Sequence, residues 1–233
     1  MTVEEHEPMH FSEMLPSLKK VTVALRDAGI PFILAGGVAS WARGGPETDH
    51  DLDFIVRPQD ADRALEALAD TGMKPERPPE PWLYKVHDGD VLIDLIFSPS
   101  GLEVTDEVIE RSDELEVFAI PLRVMRPEDL LVTKLCAMTE HTINFRSCLE
   151  IARALREQID WEDVRRRTDD SPFARAFFTL VEGLGIVDPD RRLSPRQRGS
   201  NGPRWDARSG GPAGASPSSG SGSSTTVSGR TSS

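Results

Sequence analysis

The stretch Phe32-Ile33-Leu34-Ala35-Gly36-Gly37, then a connector, then Asp51-Leu52-Asp53-Phe54-Ile55-Val56, decides the fold of this chain. The first part is a brief apolar run ending in two glycines, the pattern of a buried strand turning sharply into a helix. Adjacent residues without Cβ atoms let backbone N–H groups approach a guest closely, and phosphate is the usual one. The second part carries carboxylates at i and i+2. On a strand these side chains share one face, and Leu52 and Phe54 take the other, core-directed face. Like charges side by side are costly unless a cation lies between them, so the pair reads as half of a metal site.

A third acid extends the pattern. Asp94 lies in Val91-Leu92-Ile93-Asp94-Leu95-Ile96-Phe97, a run apolar enough for a central strand. An acid in such a strand either destabilises it or is committed to a partner. If this strand lies beside Asp51–Val56, three carboxylates converge on one or two divalent ions, an arrangement suited to phosphoryl or nucleotidyl transfer. The competing reading is an ordinary sheet with a surface acidic pair and a satisfied buried aspartate.

The Gly-Gly turn, the intervening residues 38–50, the Asp-hydrophobic-Asp-hydrophobic strand and the later Asp94 resemble the DNA polymerase beta-like nucleotidyltransferase superfamily. More narrowly, the chain is similar to small bacterial nucleotidyltransferase family proteins, with toxin-type and aminoglycoside nucleotidyltransferases as relatives. The resemblance spans residues 10–187. It implies an α/β (α+β) fold, a mixed β-sheet flanked by helices with a helical C-terminal part. It also implies transfer of an NMP from an NTP to an acceptor hydroxyl with release of pyrophosphate. Asp51, Asp53 and Asp94 would hold two Mg²⁺ ions, and Asp94 would help deprotonate the acceptor. Gly36, Gly37 and Ser40 would cradle the β- and γ-phosphates. One position departs from the pattern: many relatives carry an arginine just before the threonine, where this chain has Glu47. Arg43 or His50 could replace its phosphate contacts, although loop polarity explains both residues equally well.

The remaining sequence frames that centre. Phe11–Ala28 has apolar residues at helical spacing, with Pro16 marking a start and Gly29 suited to a C-cap. Ile30–Ala35 reads as a strand and Val38–Arg43 as a helix; Trp41 reads as core. Asp60–Thr71 is an amphipathic helix that supplies a crossover, and Lys74–Pro81 is a proline-laden loop. Trp82–His87 and Val91–Phe97 read as a hairpin joined by Asp88-Gly89-Asp90. Ser100–Arg111 reads as a short helix, and Leu115–Ile120 and Leu122–Met125 as strands separated by Pro121. Helices follow from Pro127, over Phe145–Gln158, over Trp161–Arg167 with Asp160 as cap, and from Ser171 to Gly183. Lys134 sits among apolar neighbours in the first of these. It either snorkels to water or reaches the triphosphate, as the lysine that the resembling family keeps in that helix does.

Charge is unevenly placed. The formal net charge is −12, yet residues 191–233 hold seven arginines and one acid, so residues 1–190 carry −18. A body that acidic disfavours non-specific polyanion binding and suits a cationic small molecule or a protein acceptor better than RNA. Cys136 and Cys148 read as buried free thiols. No leader or membrane-length apolar run is evident, which predicts a cytoplasmic protein without membrane partners. The organisation expected is a core over 1–125, a helical part over 126–187 and a disordered Pro/Arg- then Gly/Ser-rich tail over 188–233. An antitoxin-type protein partner is compatible with the toxin relatives. A non-catalytic nucleotide-binding or partner-binding module that kept the fold is the alternative function.

Overall fold

The computed structural model describes residues 13–46 and 51–188. The expectations placed on Thr2–His10, Glu47, His50 and residues 189–233 lie outside the described residues.

A seven-stranded mixed sheet organises the chain. Along the sequence, helix α1 (Leu15–Asp27) leads into strand β1 (Phe32–Leu34), helix α2 (Gly36–Ala42) and strand β2 (Asp51–Val56). Helix α3 (Ala61–Asp70), entered through a turn of 3-10 helix at Pro58–Asp60, precedes strands β3 (Lys74–Glu76), β4 (Leu83–Asp88) and β5 (Val91–Ile96). Helix α4 (Asp106–Glu110) and strands β6 (Asp113–Val117) and β7 (Ile120–Val124) complete the sheet. Helices α5 (Pro127–Cys136), α6 (Phe145–Leu155), α7 (Trp161–Arg167) and α8 (Pro172–Gly183) follow.

The strand order is β3-β4-β5-β2-β1-β7-β6. β2 lies at the centre, antiparallel to β1 and parallel to β5. The parallel pairing is possible because α3, β3 and β4 carry the chain back between the two strands. Period-two patterning places Leu52 and Phe54 in the core, each fully buried, while Asp51 and Asp53 look to the opposite face. Phe54 meets Phe32 edge to face at 5.7 Å, which locks β1 against β2.

The helical part gathers around α5, which contacts α6, α7 and α8 as well as α2. Its first turn is buried and acidic. Asp129 accepts from Arg111 at 2.8 Å and pairs with Arg167 at 2.7 Å, while Glu128 Oε1 accepts the Asp160 N–H at 2.8 Å. Thus one turn of α5 ties the end of α4 to both ends of α7.

The structure redraws several elements. Gly36 and Gly37 are the first turn of α2 itself, so that helix begins two residues before Val38. The proline-laden segment contains β3, a short strand on the sheet edge paired with β4. Pro75 is tolerated there because an edge strand has one side with no ladder to serve. Asp88 and Val91 are a closing pair, so the β4–β5 turn is Gly89-Asp90, with Gly89 at φ 64°. Asp88 is freed to accept from Ser17 Oγ at 2.8 Å and Lys20 Nζ at 2.7 Å, which fastens α1 to the sheet. The last hairpin turns at Phe118-Ala119, and Pro121 lies within β7 rather than between strands. Both turn residues have positive φ, 52° and 60°, without being glycine. A stack of Phe118 on Trp41 at 5.2 Å helps offset that cost. The helix expected over Ser100–Arg111 is confined to Asp106–Glu110, with the Thr105 side chain accepting from the Val108 N–H.

Candidate active site

β2 and β5 run parallel in a register that sets Asp53 directly beside Asp94. Directly opposed residues on neighbouring strands project to the same face. Asp51, two residues earlier on β2, shares that face. Carboxylate oxygens of Asp51, Asp53 and Asp94 all lie within 4.8 Å of one another. This is the only such group of metal-ligating side chains among the described residues.

The cluster is electrostatically loaded. Burial, with Asp51 and then Asp94 alongside, pushes the Asp53 carboxyl from 3.8 up to about 7, against the opposing pull of Lys134 and Lys85. Lys85 Nζ donates to Asp94 Oδ1 at 3.0 Å, so the buried aspartate of the central strand does have a partner. Three converging oxygen donors with unbalanced negative charge match hard divalent cations such as Mg²⁺.

Gly36 closes one side of the cluster. It has φ +59°, and a Cβ built on it would stand 1.6 Å from Asp53 Oδ2. Only a residue without a side chain lets the start of α2 lie against that carboxylate.

A cavity of about 250 Å³ opens from this point. Gly36, Asp53 and Lys134 make its polar end. Ile55 and Ile96, the next residues on the same strand faces, continue as an apolar floor, and Met125, Leu130 and Trp82 also line the cavity. Lys134 projects from α5 into the space that Asp53 faces and forms no ion pair among the described residues.

Other candidates lie elsewhere. Ser40 is buried, its Oγ packed against Gly45 with no hydrogen-bond partner among the described residues, and it is not in the cavity wall. Arg43 is committed to architecture, donating to Met125 O at 2.7 Å, Val124 O at 3.0 Å and Asp113 Oδ2 at 2.7 Å. The Cys148 thiol, pushed up to about 11 by burial, is an inert core group. Lys85 and Trp82 were not singled out by sequence reasoning as site residues. Lys85 becomes visible once the hairpin register is known, since it is the residue opposite Asp94 on β4.

The fold and this cluster define a nucleotidyltransferase. A family model described as uncharacterised nucleotidyltransferase matches residues 10–182, so the chain belongs to that family and is an enzyme of nucleotidyl transfer. No curated protein matches the chain in sequence. Among solved structures, ANT(2")-Ia in complex with adenylyl-2"-tobramycin is similar, with a TM-score of 0.52 and 15% identity over 72% of this chain and 98% of that one. The solution structure of the antibiotic-resistance factor ANT(2'')-Ia gives a TM-score of 0.53 and 16% identity, over 75% and 97% of the two chains. At these identities the likeness is one of fold. No helix among the described residues is long and apolar enough to cross a membrane.

Proposed function

We propose that the protein is a metal-dependent nucleotidyltransferase that moves an NMP from an NTP to an acceptor hydroxyl, releasing pyrophosphate. The observation that carries this reading is the Asp53–Asp94 register pair with Asp51 on the same face, Asp53 lining the cavity that Lys134 also lines. Asp51, Asp53 and Asp94 would hold Mg²⁺, which when bound polarises phosphate oxygens and offsets charge on the leaving group.

The chain's own residues do the positioning. Gly36 and Gly37 present backbone N–H groups of the first turn of α2, where anionic oxygens are favoured. Lys134 lies where its ammonium can offset triphosphate charge. Asp94 takes the acceptor's proton as the acceptor oxygen attacks the α-phosphorus and the bond to pyrophosphate breaks. Catalysis of this kind is chiefly orientation and charge neutralisation in a sheltered site. The floor of Ile55 and Ile96 with Trp82 beside it suits a flat apolar group such as a nucleobase. A small cationic acceptor agrees with the −18 charge over residues 1–190.

The test is incubation of the full chain with each labelled NTP, Mg²⁺ and a cell extract fractionated by size. Label transferred to a low-mass fraction, dependent on Mg²⁺ and lost on chelation, is the expected result. Transfer undiminished by chelator would overturn metal dependence.

A further inference from the structure

The cavity runs away from the carboxylates along the strands. Ile55 and Ile96 stand one pleat beyond Asp53 and Asp94, about 6.5 Å further along β2 and β5, and Pro99 and Ser100 line it where the chain leaves β5. A second close glycine contact fixes this far end. Gly101 has φ +71°, and a Cβ built on it would stand 2.6 Å from Cys136 Sγ and 3.2 Å from Val132 Cγ1. Segment 99–101 is thereby held against the second half of α5. That helix gives the cavity Leu130, Thr133, Lys134 and Ala137, spaced at i, i+3, i+4 and i+7 on one face. The charge of the long Lys134 side chain is felt at Asp53, whereas Thr133 is short and stays at the wall.

Besides Asp53 and Lys134, only Thr133 and Ser100 bring polar side chains to this lining, and the two differ in freedom. The Thr133 hydroxyl already donates within α5, to Asp129 O at 2.9 Å and Leu130 O at 3.2 Å. Its proton is committed, so the oxygen offers a guest lone pairs alone. Ser100 is exposed, and its hydroxyl turns to donate or to accept. We infer that Thr133 is the specificity-determining residue for the nucleobase, selecting adenine or cytosine over guanine or uracil. The inference rests on the nucleotidyl-transfer reading above, which seats the base over Ile55 and Ile96. The exocyclic group projects furthest from the ring and meets the half-buried wall at Thr133, while the ring nitrogen beside it faces the exposed rim at Ser100. In adenine and cytosine the exocyclic group is an amino donor and the neighbouring ring nitrogen an acceptor. Thr133 Oγ1 accepts from the first and Ser100 donates to the second. Guanine and uracil reverse the order. Ser100 adapts to their ring N–H, but their carbonyl meets Thr133 acceptor against acceptor, unless the hydroxyl gives up its bond within the helix.

The experiment is isothermal titration of the full chain, with Mg²⁺, against the α,β-methylene forms of ATP, CTP, GTP and UTP and of purine riboside triphosphate, which lacks the amino group. Wild type is expected to bind the adenine and cytosine nucleotides at least about tenfold more tightly than the other three. T133V, which has the same shape without the oxygen, should erase that preference, and T133S should keep it. K134A should weaken ATP, CTP, GTP and UTP forms alike and leave the ratio standing, which separates reading of the base from capture of the triphosphate. T133A is the second oxygen-free variant, should T133V fail to fold. Three results each overturn the role of Thr133 while the transfer reading stands: wild type binding the four bases equally or favouring guanine or uracil, the purine riboside form binding as tightly as the adenine one, or an unchanged ratio in folded T133V or T133A. Absence of saturable binding of any of the nucleotides overturns the transfer reading and this inference together.

Discussion

Gly36 stands against Asp53 so closely that a Cβ on the glycine would fall 1.6 Å from the carboxylate Oδ2. The contact joins the start of α2, where phosphate is expected, to the carboxylate at the heart of the cluster. The proposed phosphate cradle and the proposed metal ligand are therefore mechanically one unit.

Gly36→Ala should break that unit. The added methyl must displace Asp53, and alanine is strained at φ +59° by about 1–2 kcal/mol. Transfer and Mn²⁺ affinity are expected to fall by about tenfold or more, with only a modest drop in melting temperature. Wild-type metal affinity in this variant would show that Asp53 has room to move.

Asp53→Asn separates charge from shape. The folded apo protein keeps a proton on Asp53 up to about pH 7, whereas the unfolded chain releases it near 3.8. Between those values the folded state binds more protons, so apo stability falls as pH rises and levels off above about 7. Asparagine has no such proton. D53N should lose this slope and, in chelator above pH 7, exceed wild type by roughly 1–3 kcal/mol in denaturant unfolding. Transfer should drop by about 10²-fold or more, since a metal ligand is gone. Undiminished labelled-nucleotide transfer by pure D53N would sink the metal mechanism.

Lys134→Ala should weaken NTP binding about tenfold or more while leaving melting within a few degrees, because a charge-assisted contact is worth about 1.5–3 kcal/mol. Isothermal titration against a non-hydrolysable NTP checks it. Normal affinity would mean that the ammonium serves only to reach water.

How much of this was legible in the sequence depends on what each feature needs. Asp51–Val56 and Trp161–Arg167 are observed with the bounds read, because strict alternation and an Asp160 cap are local signals. That the three aspartates gather was legible only in part: the pleat sets side-chain parity and the apolar context of Asp94 marks a central strand, but the pairing of β5 with β2, on which the gathering depends, is a long-range contact. Lys85 did not follow. Its place opposite Asp94 hangs on whether the turn contains two residues or three, and with Asp88 inside the turn Tyr84 would take that place. Asp88 belongs to the strand because Ser17 and Lys20, about seventy residues away, hold its carboxylate. The Phe118-Ala119 turn was equally hidden, for neither residue ordinarily favours positive φ. Its support is the Trp41 stack, a tertiary contact.

The acidic first turn of α5 carries a stability prediction. Asp129 is 3% exposed and pairs with both Arg111 and Arg167. Asp129→Ala leaves two guanidinium groups facing an emptied site and should cost about 3–5 kcal/mol in denaturant unfolding. A loss under 1 kcal/mol would show that the arginines re-pair with solvent at little expense.

Trp82 stands in the cavity wall while remaining 41% exposed. An indole so placed changes its emission when a guest displaces the water around it. Fluorescence can therefore report occupancy of the site before any chemistry is known. Trp41 and Trp161 lie outside that wall and Trp205 outside the described residues, so the same titration on W82F separates the background of all three from the signal. Candidate nucleotides and acceptors can thus be ranked by quenching alone, with the protein as its own indicator dye.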